Sequence, residues 1–550
     1  MELINQHTKK IMEGCKERAE AAGLQFQDET LEYIVSNRDL LELSPKVMIP
    51  TLYDYWVHDV EVLKEKGKYE LYPGNPYETV INTRPAISFY NDNNPDWLNV
   101  MIFYHVLAHI DFFQNNIYFQ NTWDYDFTGQ ALSDKRVIAR LRAEKNKWVD
   151  YVIEFARGID NLVGYHETLS RKNHTILDGQ SRKLNFYFDI FLQSVLKARI
   201  DIYIKEMARY NRCIAENGEL GEGHFFTEVE KKHPEFEAIF QKNQAKKPRG
   251  RRDLIQFLLE HSEFLNKEEN RWMKTVIQVV RKTSLFFQPQ IRTKIMNEGW
   301  ASYWHQQLFL KDERIKGHEV EFARVNAAVT SLPRVGLNPY ALGMRLFFEI
   351  EEMADKGRFD YEFQRLLDAD ARKTFDADTR QGQGFIFAVR ENYCDSMFVS
   401  TFLSQEFMNR YNIFVAGKRL NKRKMVWEYY IKSRNIRDYQ EMIQDSLYHP
   451  PHITVQNNES GKEEFYLVHH FEGKPLVNEF IANTMMGIEY LWGKSVKLET
   501  SEVVSQAKQP PDTPAGRPPV PQKEAGDEPQ VVWRRVVYTM ENRKLTKSEI

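Results

Sequence analysis

A nearly all-apolar stretch, WLNVMIFYHVLAHIDFFQNN at 97–116, constrains the fold of this chain more than any other segment. The preceding NDNNP predicts a helix start, with Asn94 as the N-cap, Pro95 at the first helical position and Asp96 in the first turn. A helix that is apolar around most of its circumference must be surrounded by other elements. The sequence therefore predicts an interior helix in a large domain.

Length and composition agree with such an interior. The 550 residues exceed what one small core needs, and a hydrophobic fraction of 42% with 13% aromatic residues predicts a mostly globular chain. The formal net charge of -3 favours neither a nucleic-acid-binding nor a membrane-surface protein.

The cysteines and the N-terminal segment bear on the compartment. Cys15, Cys213 and Cys394 are far apart and form no CxxC pair, which favours a reducing environment. The first residues lack the apolar core of a signal peptide, and no run approaches the roughly 18 apolar residues of a membrane span. We therefore expect a cytoplasmic protein without a membrane span.

The spacing of apolar residues predicts helices along most of the chain, including 2–67, 137–217 and a helix on each side of Pro289. The segment YETVINTRPAISFY at 77–90 predicts one or two short strands with proline on an edge. The segments ITV, FYLVHHF, NEFIANTMMGIEYLWG and VKLET within 451–500 predict a small β-β-α-β unit. The expected fold class is mainly α with minor β.

Four regions follow from these patterns. We expect a large, mostly helical domain with a short edge sheet at 1–435 and a small α+β domain at 436–503. Seven prolines among Gly, Lys, Asp and Glu between 509 and 530 predict an extended linker or tail at 504–530. A short segment, 531–550, follows, and its VVWRRVVYTM predicts one strand.

Two predicted helices carry residues that could bind a metal. His105 and His109 lie one turn apart on one stripe of the first helix, so their ring nitrogens can converge on one ion, as helical HxxxH does in zinc enzymes. In MNEGWASYWHQQ at 296–307, Glu298 and His305 share a stripe with aliphatic residues. A buried carboxylate is costly unless a cation compensates it. These residues predict zinc held by His105, His109 and Glu298, with a fourth position open to water or substrate.

Other interpretations of the same residues stay open. HxxxH alone is a weak signal, and two such histidines are more often core or surface residues than ligands. Glu298 could pair with Arg292, and His305 could satisfy a backbone carbonyl. A metal could also have a purely structural role, locking the two helices together.

The stretches NEGWASYWH at 297–305 and HVLAHIDFFQNN at 105–116 resemble the SpoVR family, the stage V sporulation protein R and its relatives. Further stretches share the resemblance, namely DLIQFLLEHS, QPQIRTKIMNEGW, NPYALGMRLFFEIEE and LWGKSVKLET. The resemblance implies a cytoplasmic bacterial protein linked to spore cortex formation or, more broadly, to peptidoglycan remodelling. It also implies a serine kinase and a von Willebrand-type companion protein as partners.

A weaker resemblance concerns the motifs alone. NEGWA is similar to the NEGxA box of gluzincin metallopeptidases, and HVLAH is similar to their HExxH, except that Val106 stands where gluzincins have the glutamate that activates water. Asp111 and Glu167 are candidates for a replacement base, although Asp111 lies about 200° around the helix from His109 and more readily orients another group. His305 is a better candidate than Tyr303 for stabilising charge on a substrate.

Two functions are compatible with these features. The first is a zinc-dependent amide hydrolase, with His305 and Asp111 as catalytic candidates. The second is a non-catalytic regulator or scaffold of cell-wall remodelling, for which Val106 is the main argument and in which the C-terminal unit binds a partner. We expect no nucleic-acid partner.

Overall fold

The computed structural model describes residues 2–26, 30–36, 78–83, 85–122, 127–163, 182–196, 221–244, 253–421, 425–447, 450–456, 465–470, 475–505 and 531–549, with single positions between 206 and 217. The chain divides into two compact units, one of Met1–Val163 with Leu254–Ile550 and one of Gly164–Asp253. The second unit is therefore an insertion in the sequence of the first. The four predicted regions remain predictions.

Helices dominate the described chain, which confirms the expected class. In chain order they are α1 (Gln6–Ala21), α2 (Asp96–Asn115), α3 (Phe127–Lys145), α4 (Trp148–Arg157), α5 (Arg182–Phe186), α6 (Gly221–Lys232), α7 (Phe236–Gln244), α8 (Leu254–His261), α9 (Glu263–Asn266), α10 (Arg271–Arg292), α11 (Lys294–Phe309), α12 (Glu319–Thr330), α13 (Pro339–Asp355), α14 (Tyr361–Arg365), α15 (Ala369–Thr374), α16 (Gly382–Asn392), α17 (Asp395–Phe402), α18 (Gln405–Tyr411), α19 (Ile436–Ser446) and α20 (Asn478–Trp492).

The strands form small sheets. They are β1 (Glu2–Leu3), β2 (Thr30–Val35), β3 (Glu78–Ile81), β4 (Ala86–Asn91), β5 (Val415–Asn421), β6 (Val426–Ser433), β7 (His452–Gln456), β8 (Phe465–His470), β9 (Val496–Ser505), β10 (Val531–Glu541) and β11 (Lys544–Glu549). Their orders are β1-β2-β4-β3, β5-β6 and β11-β10-β9-β8-β7.

Helix α2 is the interior helix that its composition predicts, because nearly all of its residues are buried. It packs against α11, α1 and α16 and against the strands β3 and β4. Its start differs by one residue from the prediction. The helix begins at Asp96 with Pro95 in the N-cap position, where no side chain caps the backbone, so Asn94 lies one residue too early.

Helices α11 and α13 cross at a pair of glycines. A methyl group on Gly299 would overlap the backbone of Gly343, and one on Gly343 would overlap the carbonyl of Ile295. Only glycine allows two helix backbones to approach this closely. The glycine of NEGWA thus has a packing role, and it fixes the position of the helix that carries Glu298.

Several local predictions need correction. Residues 30–35, expected to be helical, form β2, which pairs in parallel with β4. Pro289 does not separate two helices, because α10 continues through it to Arg292. Two strands form within 77–90, as predicted, but Pro85 precedes β4, and β4 lies inside its sheet between β2 and β3.

The predicted β-β-α-β unit is confirmed as β7, β8, α20 and β9, with α20 connecting the parallel strands β8 and β9. The strand predicted near the C-terminus forms as β10, which pairs with β9 along its length. Buried residues of this sheet share one core with α4, α8 and α10. The sheet is thus packed onto helices that lie far from it in the sequence.

The unit Gly164–Asp253 has an aromatic core of its own. Its buried residues include Tyr187, Phe191, Phe225 and Phe236, whose rings meet mostly edge to face. Such pairs add to the stability that burial of the rings provides. The residue Glu167, a predicted alternative base, lies outside the described residues.

Candidate metal centre

The two helices named from sequence bring three predicted ligands together. Helix α2 carries His105 and His109, and α11 carries Glu298. One potential ligand atom from each of these residues lies within 4.8 Å of the others. Both imidazoles are buried, whereas the Glu298 side chain remains 18% exposed. The cluster is therefore at the edge of the core, with its carboxylate nearest to solvent.

The ring of His109 is held by the residue next to Glu298. Its Nδ1 lies 2.9 Å from Oδ1 of Asn297, and this oxygen can only accept, so Nδ1 carries the proton. In neutral His109 the lone pair is then on Nε2. That nitrogen lies 3.1 Å from Nε2 of His105 and 3.5 Å from Oε2 of Glu298.

A longer chain of contacts holds His105. Asn326 donates its amide to Gln306 at 3.0 Å and turns Oδ1 toward Nε2 of His305 at 2.9 Å. Nε2 of His305 therefore carries the proton. Its Nδ1 accepts from Nδ1 of His105 across 2.9 Å, which leaves the lone pair of His105 on Nε2.

Burial favours the neutral form of His105 and His305. Desolvation, with the neighbouring imidazoles His109 and His305, holds the pKa of His105 well below its ordinary value. Desolvation likewise lowers the pKa of His305 to about 4. Two nitrogen lone pairs and a carboxylate oxygen consequently face one another. This arrangement is repulsive unless a positive centre, either a proton on His109 or a metal ion, lies among them.

The spacing of these atoms suits a tetrahedral metal ion. Zinc bonds nitrogen at about 2.0–2.1 Å and carboxylate oxygen at about 2.0–2.2 Å, so tetrahedral ligand atoms lie roughly 3.3–3.4 Å apart. The two separations of 3.1 and 3.5 Å bracket that value. Each ring donates a hydrogen bond from its far side, His109 to Asn297 and His105 to His305, as is typical of metal-binding histidines. The residues present therefore fit the ion that the sequence predicts.

A cavity of about 580 Å³ adjoins the cluster. Its lining residues are Met101, Ile102, His105, Lys294, Glu298, His305, Val329, Leu337, Asn338, Pro339 and Tyr340. The ring of Tyr340 stacks on that of His105, with centroids 6.2 Å apart and an angle of 14° between the planes. The apolar and aromatic lining with a few polar groups is typical of a small-molecule or peptide site.

The pairing of Glu298 with Arg292 that the sequence left open does not occur. Glu298 pairs with His109, and the Arg292 guanidinium instead lies over the ring of Tyr118, 5.9 Å from its centroid. His305 does not use a backbone carbonyl, because its nitrogens contact His105 and Asn326.

Asp111 lies on another side of α2 and does not line this cavity. Its carboxylate accepts from the indole of Trp300 and from the backbone of Gln25, both at 2.8 Å. Arg390 is 3.3 Å away. Burial raises the pKa of Asp111 to about 6, against the opposing effect of Arg390. These contacts agree with an orienting role that ties α2 to α11, and a catalytic role of Asp111 remains a prediction.

The other base and charge-stabilising candidates are less favourably placed. The hydroxyl of Tyr303 donates to Glu351 at 2.7 Å, outside the cavity lining. Val106 is fully buried next to His105 and offers no proton acceptor. Among the described residues, Glu298 is the one carboxylate that lines the cavity.

Asp395 is an acidic residue of α17 that packs against the start of α11. The residue is buried, and its carboxylate accepts from the backbone of Ile295 at 2.8 Å and of Met296 at 2.9 Å. It thus caps the N-terminus of α11, where negative charge suits the helix dipole. Burial, against these donors, raises its pKa to about 7.

Sequence reasoning missed three residues around the cluster. Asn297 orients His109, Asn326 orients His305, and Tyr340 covers His105. Asn338 is the N-cap of α13, and its Oδ1 accepts from the backbone N–H of Tyr340 at 3.1 Å. That cap is the signal that could have placed Tyr340 at the site.

The fold and the cluster define a class, namely mainly helical proteins in which two central helices gather two histidines and a glutamate. Comparison with known proteins identifies the family. Residues 2–450 match the family model for SpoVR, described as "SpoVR like protein". The chain therefore belongs to the SpoVR family.

One curated relative adds to this finding. The chain is 22% identical over 397 residues to the "Uncharacterized protein YcgB" of Escherichia coli (strain K12), and the alignment covers 69% of each chain. No solved structure matches. The likeness to gluzincins remains a resemblance of motifs. In the part of the chain that the structure describes, no helix is long and apolar enough to cross a bilayer.

Proposed function

We propose that this SpoVR family protein binds zinc through His105, His109 and Glu298 and hydrolyses an amide bond in the adjoining cavity. One observation carries the proposal. The hydrogen bonds to the far sides of both imidazoles leave their Nε2 lone pairs facing each other at 3.1 Å, beside a carboxylate. Such an arrangement is expected of a site built for a cation.

Each residue of the cluster has a task in this proposal. Asn297 fixes His109 and the His305–Asn326 pair fixes His105, so the ligands need no reorganisation. Zinc supplies a Lewis acid that polarises a carbonyl and activates water. Tyr340, stacked on His105, and the aliphatic residues of the cavity exclude bulk water and position a substrate. His305 acts mainly by positioning His105, since both of its nitrogens are engaged.

Val106 limits the rate that this centre can reach. Proton removal from water needs an acceptor beside the ion, and a valine offers none. We therefore expect slow hydrolysis, and Val106→Glu should accelerate it if the motif resemblance to gluzincins reflects a shared arrangement. A general base typically contributes about 10²–10⁴-fold.

The cellular setting that we propose is the one implied by the SpoVR resemblance, which is spore cortex formation or, in bacteria without spores, peptidoglycan remodelling. A serine kinase and a von Willebrand-type protein are proposed partners on the same ground. The substrate would then be an amide in a cell-wall precursor or in a regulatory protein.

The same valine supports a second candidate, a non-catalytic regulator of cell-wall remodelling. In this alternative the cluster does no chemistry, and the protein acts through its partners. A deletion strain complemented with His105→Ala separates the candidates. Rescue of the deletion phenotype supports the regulator, and loss of rescue with normal protein level supports the metal-dependent function.

The metal itself is tested on purified untagged protein. Expression with added zinc should give one equivalent by elemental analysis, and His109→Ala should give none while its circular dichroism is unchanged. A folded wild-type protein without stoichiometric metal would refute the zinc proposal.

A further inference from the structure

The cavity beside the metal cluster is next to another cavity. A second cavity, of about 850 Å³, shares Leu337 and Asn338 with the first. These residues lie at the start of α13, so the two cavities meet along one short segment. Two adjacent cavities of this combined volume offer room for an extended chain.

The far wall of the second cavity is the β5–β6 hairpin. Tyr429, Tyr430 and Ile431 of β6 line it, and each is between 45% and 59% exposed. Trp427 on the same strand is 57% exposed. Contiguous exposed aromatic side chains of this size are typical of an interaction site rather than of an ordinary surface.

The hairpin and the groove are basic. The described residues of the hairpin, 415–421 and 425–434, include four Lys and Arg residues and one Glu, in a chain of net charge -3. The cavity itself is lined by Arg334 and Arg434 and, in its described lining, by no acidic residue. Arg334 is exposed and forms no ion pair with any described residue. The groove therefore favours an anionic ligand.

The hairpin also offers backbone hydrogen bonds. Strands β5 and β6 pair with each other alone, so in the described structure each has one open edge. An open edge can bind an extended peptide as an additional strand, with alternate side chains entering pockets.

The aromatic faces distinguish a peptide from a nucleic acid. Lys418 lies over the ring of Trp427 at 5.2 Å, and Arg419 lies over that of Tyr430 at 5.7 Å. Stacking of bases on these rings would compete with cations already placed there. Strand addition needs no such displacement.

We propose that the two cavities form one groove from the hairpin to the metal cluster, and that this groove binds an extended acidic segment of a partner polypeptide. Aromatic residues of β6 contact its side chains, and Arg334 and Arg434 pair with its carboxylates. This inference rests on the proposed function in one respect, because it makes that polypeptide the substrate whose amide reaches His105 and Glu298.

The test measures binding of a labelled probe to the full chain. A fluorescein-labelled 12-residue peptide of alternating glutamate and tyrosine serves as the acidic peptide, with a lysine–tyrosine peptide as its control. A labelled 12-nucleotide oligothymidylate tests the nucleic-acid alternative. Fluorescence anisotropy at two salt concentrations should show the acidic peptide bound most tightly, and more weakly at high salt.

Matched variants test which residues bind the acidic peptide. Arg334→Glu should weaken the acidic peptide by about tenfold or more, because it replaces attraction by repulsion in the groove. Trp427→Ala with Tyr429→Ala should weaken it similarly. The controls Arg324→Glu and Tyr361→Ala alter exposed residues of the same types that line neither cavity, so they should change affinity less than twofold.

Two results would overturn the inference. One is equal peptide affinity in the groove and control variants. The other is tighter binding of oligothymidylate than of the acidic peptide. The zinc proposal is tested independently of this inference. His109→Ala should lose the metal and still bind the peptide through the hairpin end of the groove.

Discussion

Helices α2 and α11 bury polar groups on two sides, and the two sides differ in the hydrogen-bonding partners that these groups have. On one side Asp111 is surrounded by donors, namely the Trp300 indole, the Gln25 backbone and the nearby Arg390 guanidinium. On the other side His105, His109 and Glu298 present acceptors to one another. A buried polar cluster that is satisfied within the chain indicates structure, whereas one whose lone pairs converge fits the cation site that we propose.

Removal of a ligand should have the largest effect and would sharpen this contrast. His109→Ala should weaken zinc binding by about a thousandfold or more, as expected if a site of about 10–16 kcal/mol loses one of its few ligands. Competition with a fluorescent zinc chelator measures the change. If His109→Ala bound zinc as tightly as the wild-type protein, His109 would not be a ligand and the contrast between the two sides would be lost.

A substitution on the other side of these helices, at Asp111, should change the stability of the protein rather than its metal binding. Asp111→Asn leaves the buried Arg390 without its counter-charge, so the free energy of unfolding should fall by about 4 kcal/mol. Urea unfolding measures this change, and elemental analysis should still find one zinc. Adding Arg390→Met should restore part of the stability. An unchanged midpoint for Asp111→Asn would show that this side is not held by the ion pair.

A third buried carboxylate gives a pH test at the N-terminus of α11. Burial raises the pKa of Asp395 to about 7, so between its unfolded value and pH 7 the folded chain holds a proton that the unfolded chain has lost. Its contribution to stability is therefore complete below about pH 4 and is lost as the pH rises to 7.

The measurable quantity is the difference between the wild-type protein and Asp395→Asn. From pH 4.5 to 7 the unfolding free energy of the wild-type protein should fall by about 3 kcal/mol relative to the variant, since each pH unit contributes about 1.4 kcal/mol. Chemical denaturation across this range supplies both curves. Parallel curves would mean that Asp395 is ionised throughout, with the helix N-terminus fully compensating its charge.

The smallest effect is expected from the residues that orient the ligands. Asn297→Ala removes the acceptor for Nδ1 of His109 and should lower zinc affinity by about 10- to 100-fold without abolishing binding. The half-buried Asn392→Ala on α16 is a control outside the cluster. If Asn297→Ala bound zinc with unchanged affinity, the assignment of lone pairs in the cluster would lose its main support.

The candidate ligands His105, His109 and Glu298 could be picked out from the sequence, because the spacing of residues along one helix decides which of them share a face. Spacings of three and four residues place His105 with His109, and Glu298 with His305, whatever surrounds them. The apolar composition of α2 likewise predicts that it is buried. Fold class and the β-β-α-β unit follow from the same kind of periodic pattern.

The remaining parts depend on contacts between distant segments. Gln25 and Arg390 reach Asp111 across 86 and 279 positions of the sequence, and Asp395 reaches Ile295 across 100. No pattern within α2 or α11 indicates these partners. The proline in α10 shows that a local signal can also mislead. Pro289 predicts a helix end, yet the helix continues to Arg292, and both residues are buried.

The order of the ligands along the chain has a consequence for how the protein is made. His109 and Glu298 are separated by a stretch that includes the whole of the unit Gly164–Asp253. At about 5–20 residues per second, a ribosome needs roughly 10–40 s to pass from the second histidine to the glutamate. During that interval the emerging polypeptide offers a histidine pair with no carboxylate to complete it. If zinc binds as proposed, the complete site therefore forms only after Glu298 has left the ribosome, when the inserted unit has already been made.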